Sequence, residues 1–170
     1  MKIKAFLFFL LTITTFQIHA QEQASDILNN AIAIAKKENK NVFVKFSASW
    51  CSWCKKMDLQ MKSDICAPLL DPQYTSVTLI VNESKKNKQL ETPGALEILK
   101  KYKGERAGLP FWVIIDQNGK LLEDSFDPTG QNLGCPASKE EVRHFTQILK
   151  KTSSLTDAQL TTIAKVFTAK

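Results

Sequence analysis

Between Ser25 and Lys40 the apolar positions Ile27, Leu28, Ala31, Ile32 and Ala35 recur at helical spacing. Asp26 near the start and Lys36 and Lys37 near the end complement the helix dipole, so this stretch predicts a first helix. Val42-Phe43-Val44-Lys45-Phe46 is short, β-branched and aromatic, and predicts a buried strand despite Lys45. From Lys55 to Leu70 the residues Met57, Met61, Ile65 and Leu69 repeat about once per turn and predict a second helix. Tyr74 to Val81 predicts another strand. The polar stretch Asn82 to Pro93 predicts a loop, and Gly94 to Lys103 a helix stopped by Gly104. Phe111 to Ile115 and Leu121 to Phe126 flank Asn118-Gly119, a strong turn signal, and predict an antiparallel hairpin. Ser138 with Glu141, and Thr156 with Gln159, have capping-box spacing and open helices running to about Lys150 and Thr168.

Helix, strand, helix, strand, helix, hairpin and helix make an α/β fold: a mixed central sheet of about four strands flanked by helices on both faces, with an extra C-terminal helix. The chain contains no internal repeats. Its organisation reads as residues 1–20 leader, 21–152 one domain, and 153–170 a helical extension. Leu160, Ile163 and Phe167 of that extension have the spacing of a face that packs either on the domain or on a second copy of it.

An apolar share of 44% with 24% charged residues is that of an ordinary globular protein, and excludes disorder as the main state. In the first twenty residues Lys2 and Lys4 precede the apolar run Ala5 to Ile13, and a more polar stretch ends at Ile18-His19-Ala20. That order is the grammar of a secretory signal cut after Ala20. The run is shorter than the about 20 apolar residues a spanning helix needs, so the mature protein is expected to be exported, periplasmic or secreted, with no stable membrane insertion. An uncleaved anchor is the minor alternative. Losing Lys2 and Lys4 takes the formal charge from +6 to +4. The run Lys85, Lys86, Lys88 has no interleaved aromatics of the kind a nucleic-acid platform uses, so no nucleic-acid partner is expected.

All four cysteines, Cys51, Cys54, Cys66 and Cys135, follow the leader. Export would place them where disulfides form and persist. Cys51 falls at a strand-to-helix junction with Cys54 one turn beyond it. Unsatisfied N–H groups and the positive helix end stabilise a thiolate there and lower its pKa from about 8.5 toward neutrality. Cys51 is therefore the candidate nucleophile and Cys54 the resolving thiol. The competing readings are a static disulfide, a poor staple because so short a loop constrains the unfolded chain little, and half of a metal site. Closed zinc sites need about four ligands, and the chain after residue 20 has no second Cys-x-x-Cys and only His144 as imidazole. Two-thiol copper binding stays open.

The run Phe43-Val44-Lys45-Phe46-Ser47-Ala48-Ser49-Trp50-Cys51-Ser52-Trp53-Cys54-Lys55-Lys56-Met57 resembles the active-site segment of the thioredoxin superfamily. Gly108-Leu109-Pro110, directly before the strand Phe111 to Ile115, resembles that family's cis-proline loop. The resemblance covers about Ala24 to Lys150. It implies a thioredoxin fold, dithiol-disulfide exchange with protein substrates carrying disulfides or thiols, substrate backbone docking beside Pro110, and a separate upstream redox donor. It implies no bound cofactor and no metal. Leu109 is similar to the apolar residue at that place in reducing members and tilts the reading toward reductase or isomerase over oxidase. Trp50 and Trp53 offer an apolar docking rim, with Trp53 expected to be the more exposed; the competing reading is that one of the two packs on the core.

Three departures from the family pattern qualify that reading. Lys45 stands where thioredoxin has a buried acid, and is expected to snorkel its ammonium to solvent. Ser52-Trp53 matches neither the Gly-Pro of thioredoxin nor the Pro-His of the strong periplasmic oxidant, so redox poise is not readable. The segment from Val81 to Leu109 is long and Lys-rich, and is expected to shape partner choice. Cys66, twelve residues beyond Cys54, would lie about 18 Å away on one continuous helix. Cys135 is expected in a loop that returns to the active-site end, and a Cys66–Cys135 disulfide requires Cα atoms within about 7 Å. The alternative function is a thioredoxin-fold copper chaperone using the same two thiols as ligands.

Overall fold

Four strands hydrogen-bond in the order β2-β1-β3-β4, with β1 (Asn41–Ser47) and β3 (Phe111–Ile115) in the middle, β2 (Tyr74–Ile80) at one edge and β4 (Leu121–Asp124) at the other. The computed structural model describes residues 21–169, and the leader read in residues 1–20 lies outside them. β1 runs parallel to β2, with Asn41 opposite Tyr74 and Ser47 opposite Ile80, and antiparallel to β3, with Val42 opposite Ile115 and Phe46 opposite Phe111. Central strands are covered on both faces, which is why both read as nearly unbroken apolar runs. Phe43, Trp112 and Ile114 point into one core with Met57, Phe145, Ile148 and Phe167. Val42, Val44, Phe46, Phe111, Val113 and Ile115 point into the other, with Ala31, Ala35 and Leu99. The mixed sheet with helices on both faces is the architecture the periodicity predicts.

Helix α1 (Ala24–Glu38) ends where Asn39 adopts a left-handed conformation and returns its N–H to Ala35. The predicted second helix is broken. α2 (Ser52–Met61) stops, and the short α3 (Ala67–Leu70) restarts with Pro68 in its first turn. Between them the Ser63 hydroxyl donates to the Gln60 carbonyl at 2.8 Å and accepts from Cys66 N at 3.1 Å. Such local side-chain bonds compete with the helix ladder, and Pro68 lacks the N–H a continuing helix would use. The break turns Ile65 out to solvent and leaves Cys66 in the core. The distance count along one straight helix therefore does not hold for Cys66.

A 3-10 segment (Lys85–Leu90) and helix α4 (Ala95–Lys101) follow β2. In the hairpin the Asp116 carboxylate accepts from the Asn118 and Lys120 amides, and Gly119 supplies the positive φ of the turn. β4 ends two residues earlier than expected, because the Asp124 carboxylate takes the N–H of Phe126. Both capping boxes form, opening α5 (Lys139–Thr152) and α6 (Asp157–Thr168).

Leu160, Ile163 and Phe167 of α6 are buried in the core shared with α5, and the Phe167 and Phe145 rings lie 5.0 Å apart. Their apolar face is used within the chain rather than held out to a second copy. From inside the core, the Gln60 side-chain amide donates to the Val166 and Phe167 carbonyls and so holds the last turn of α6. Phe167→Ala is expected to destabilise the protein by about 3–5 kcal/mol, read as a lowered urea midpoint.

Candidate active site

β1 delivers the chain to the dithiol. After Ser47 the backbone turns through Ala48, Ser49 and Trp50, and Cys51 takes the N-cap of α2 in an extended conformation. Its sulfur accepts the N–H of Cys54 at 3.1 Å and so occupies the place of a capping oxygen. Cys51 and Cys54 are joined as a disulfide with Cα atoms 5.3 Å apart. Only 3% and 1% of these two residues is exposed, so a partner reaches the sulfurs along the rim rather than from open solvent.

Trp53 is not the more exposed of the two rim tryptophans. Both Trp50 and Trp53 stand out, 56% and 52% exposed, and neither packs on the core. Trp50 is held outward by its indole N–H, which donates to the Asn82 carbonyl at 2.9 Å, while the Lys56 ammonium lies 5.2 Å from the centre of the Trp53 ring. Opposite α2, the Leu109–Pro110 bond is cis, and Leu109 packs against Ala48 and the two cysteines. A groove of about 450 Å³ runs past Trp53, Leu109, Pro110, Leu133 and Cys135. Asn132 joins its two walls, donating from its side-chain amide to the Ala107 and Pro110 carbonyls, each at 3.0 Å. Its place in the groove with Trp53 and Pro110, not any local signal in the sequence, assigns Asn132 to the site.

Lys45 departs furthest from the sequence reading. Its side chain is 3% exposed and pairs with Asp58. In the register of β1 it lies between Thr78 of β2 and Trp112 of β3, and its ammonium is covered by Asp58 of α2 rather than held out to solvent. Asp58 follows Cys54 by four residues, on the same side of α2 and one turn deeper, and comes to meet it. Burial pushes the Lys45 pKa down, and the bond to Asp58 opposes that shift. Lys62 and Asp71 line the small cavity beside the pair.

Cys66 and Cys135 are free, buried thiols, and the disulfide considered between them is not formed. The Cys135 S–H donates to the Gln60 side-chain oxygen at 3.3 Å, so that sulfur already has another partner, and the Cys66 backbone N–H is held by the Ser63 hydroxyl. Burial raises both pKa values, that of Cys135 to about 11. A thiol held protonated is a poor nucleophile, which separates these two from the dithiol although Cys135 lines the groove. Among the described residues, no group of three or more His, Cys, Asp or Glu side chains is placed to hold a metal ion, so a copper reading would rest on Cys51 and Cys54 alone.

Three measurements follow. Asp58→Asn, which leaves the buried Lys45 ammonium without its charge partner, is expected to destabilise the protein, while Lys45→Met is expected to cost less or to stabilise it. The difference is read from paired urea curves. Because folding lowers the Lys45 pKa, the unfolded chain binds the extra proton between that value and 10.5, and the Lys45 contribution makes stability rise with pH there. Lys45→Met should remove that part of the slope. In native protein at pH 8, iodoacetamide is expected to leave Cys66 and Cys135 unmodified with the dithiol oxidised, and peptide mass mapping reads which thiols carry the label.

A thioredoxin-like family profile matches residues 23–117. The fold is similar to that of a disulphide isomerase from Xylella fastidiosa Temecula1, at 22% identity and a TM-score of 0.51 over 65% of this chain and 77% of that one. Lower-scoring likenesses include an oxidoreductase called DsbH, with 24% identity and a TM-score of 0.47 over 77% of this chain and 84% of that one. A thioredoxin from Thermus thermophilus has 17% identity and a TM-score of 0.46 over 71% of this chain and 80% of that one. Comparison with curated proteins finds no match. With the profile spanning more than half of the chain, and a helix-capping Cys-x-x-Cys facing a cis-proline, the protein belongs to the thioredoxin-like family.

Proposed function

We propose that this protein is an exported thiol-disulfide oxidoreductase that exchanges disulfides with protein substrates, acting as a reductase or isomerase rather than an oxidase. The observation that carries the reading is the placement of Cys51 at the N-cap of α2 with its sulfur on the Cys54 amide. That placement supplies the positive environment a thiolate needs. In the reduced protein the Cys51 thiolate attacks one sulfur of a substrate disulfide. The other substrate sulfur leaves and takes up a proton, and a mixed disulfide remains. The Cys54 thiol then loses its proton and attacks the Cys51 sulfur, releasing the second substrate thiol. Two electrons and two protons pass to the substrate, and the protein is left with the Cys51–Cys54 bond. An upstream dithiol donor is needed to return it to the reduced form.

Trp50, Trp53, Leu109 and Pro110 form the substrate-facing rim in this reading, with the substrate backbone lying along the groove beside Pro110. Lys2 and Lys4 ahead of the apolar run support export to the periplasm or the exterior. Among the described residues no helix is long and apolar enough to cross a membrane. The test is equilibration of residues 21–170 with glutathione or dithiothreitol buffers, with Cys54→Ala used to trap substrates. A potential near the reducing end of the range of about −270 to −120 mV is expected, with mixed disulfides on Cys51. Absence of reversible exchange at Cys51 would overturn the proposal.

A further inference from the structure

The Lys-rich segment after β2 is built into the dithiol loop. Because β1 and β2 are parallel, they end at the same side of the sheet, and the Val81 amide donates to the Ser47 carbonyl at 2.9 Å. From there Glu83, buried, places one carboxylate oxygen on the Ser49 amide and the other on the Ser49 hydroxyl. The Asn87 side chain also donates to that hydroxyl, and Trp50 donates to the Asn82 carbonyl. Four bonds thus hold residues 82–87 against Ser49 and Trp50, the two residues before Cys51.

This attachment uses up the segment's negative charge and leaves positive charge outside. The Glu83 oxygens are both engaged by Ser49. Glu91 accepts from the Glu83 amide and from the Lys88 ammonium, which holds its pKa below the usual carboxylate range. Lys85 and Lys86 remain exposed, and no acid among the described residues pairs with either. Across the disulfide, Lys55 is exposed and Lys56 lies over the Trp53 ring. Arg106 is exposed one residue before Ala107, which lines the groove. The acids nearby are Glu105, exposed beside Arg106, Glu141, whose carboxylate holds the α5 cap, and Asp58, paired with Lys45. Cations therefore outnumber free carboxylates around the sulfurs.

Resting on the exchange reading above, we infer that this rim is an electropositive docking surface whose partners are protein segments with Asp or Glu close to the exchanging cysteine. A fixed field of one sign raises the encounter rate of an oppositely charged partner and slows like-charged ones. The lysines sit on a segment anchored to the loop they flank, so their charge stays beside the sulfurs.

The test uses two disulfide-linked peptide dimers that differ only in having two Asp or two Lys around the cysteine. Each is mixed with the reduced protein, and the release of peptide thiol is timed. The Asp dimer is expected to react about tenfold faster at low ionic strength, and the advantage should shrink to within about twofold at 1 M salt, where screening acts over about 3 Å. In the double variant Lys85→Gln/Lys86→Gln the ratio of the two rates should fall by at least half. Intrinsic differences between the peptides cancel in that comparison. An unchanged ratio in the variant, or equal rates in the parent protein, overturns the inference while the exchange reading stands. Failure to reduce the uncharged hydroxyethyl disulfide overturns both.

Discussion

Everything at the reactive end hangs from β1. Because that strand is hydrogen-bonded on both sides, to β2 and to β3, its last residue is fixed in direction, and Cys51 is delivered to the first turn of α2 with no freedom to swing away. A parallel neighbour and an antiparallel neighbour bring different structure to that end. β2 brings the segment that carries Glu83 and the lysines, and β3 begins there, immediately after the cis-proline. The sulfurs are thus framed by three chain segments distant in sequence, while each strand stays an unremarkable apolar run.

The two cores divide the labour. The face with α1 and α4 is aliphatic and aromatic, with alanines where α1 packs against the sheet. The other face carries buried polar groups: Lys45 with Asp58, Gln60 between Cys135 and the end of α6, and Tyr74 bonded to Thr152 at 2.7 Å. α2 lies on this second face, so the helix that carries the dithiol is tied to it by Met57, Asp58 and Gln60 within about one turn. Gln60 links the active-site helix to the last residues of α6, which makes the C-terminal helix part of the support of the site.

A lysine in the strand beneath the dithiol changes the local electrostatics from those of a buried acid. Its positive charge costs desolvation energy, and Asp58 offsets part of that cost. Asp58 lies one turn below Cys54 on α2 and brings Lys45 of β1 with it, so an ion pair sits beneath the dithiol. Cys135 lines the groove, and burial keeps it protonated although the Lys56 and Lys45 charges act in the opposite direction.

What the sequence determined by itself is local chemistry and periodicity. The strand and helix patterns, the two capping boxes, the Asn-Gly turn, the Cys-x-x-Cys at a helix start and the Gly-Leu-Pro before a strand are all written within a few neighbouring residues. The tertiary structure decided what depends on who stands across the space. Lys45 could not be read as buried without knowing that α2 covers its face of the sheet and brings Asp58 to its ammonium. Trp50 could not be placed without Asn82, nor Cys66 and Cys135 without Ser63 and Gln60. The break after Met61 escaped the periodicity because Ile65 and Leu69 continue the spacing, while Ser63 and Pro68 end the hydrogen-bond ladder. Hydrophobic spacing records which residues are able to face a core, and hydrogen bonding across the fold decides which of them do.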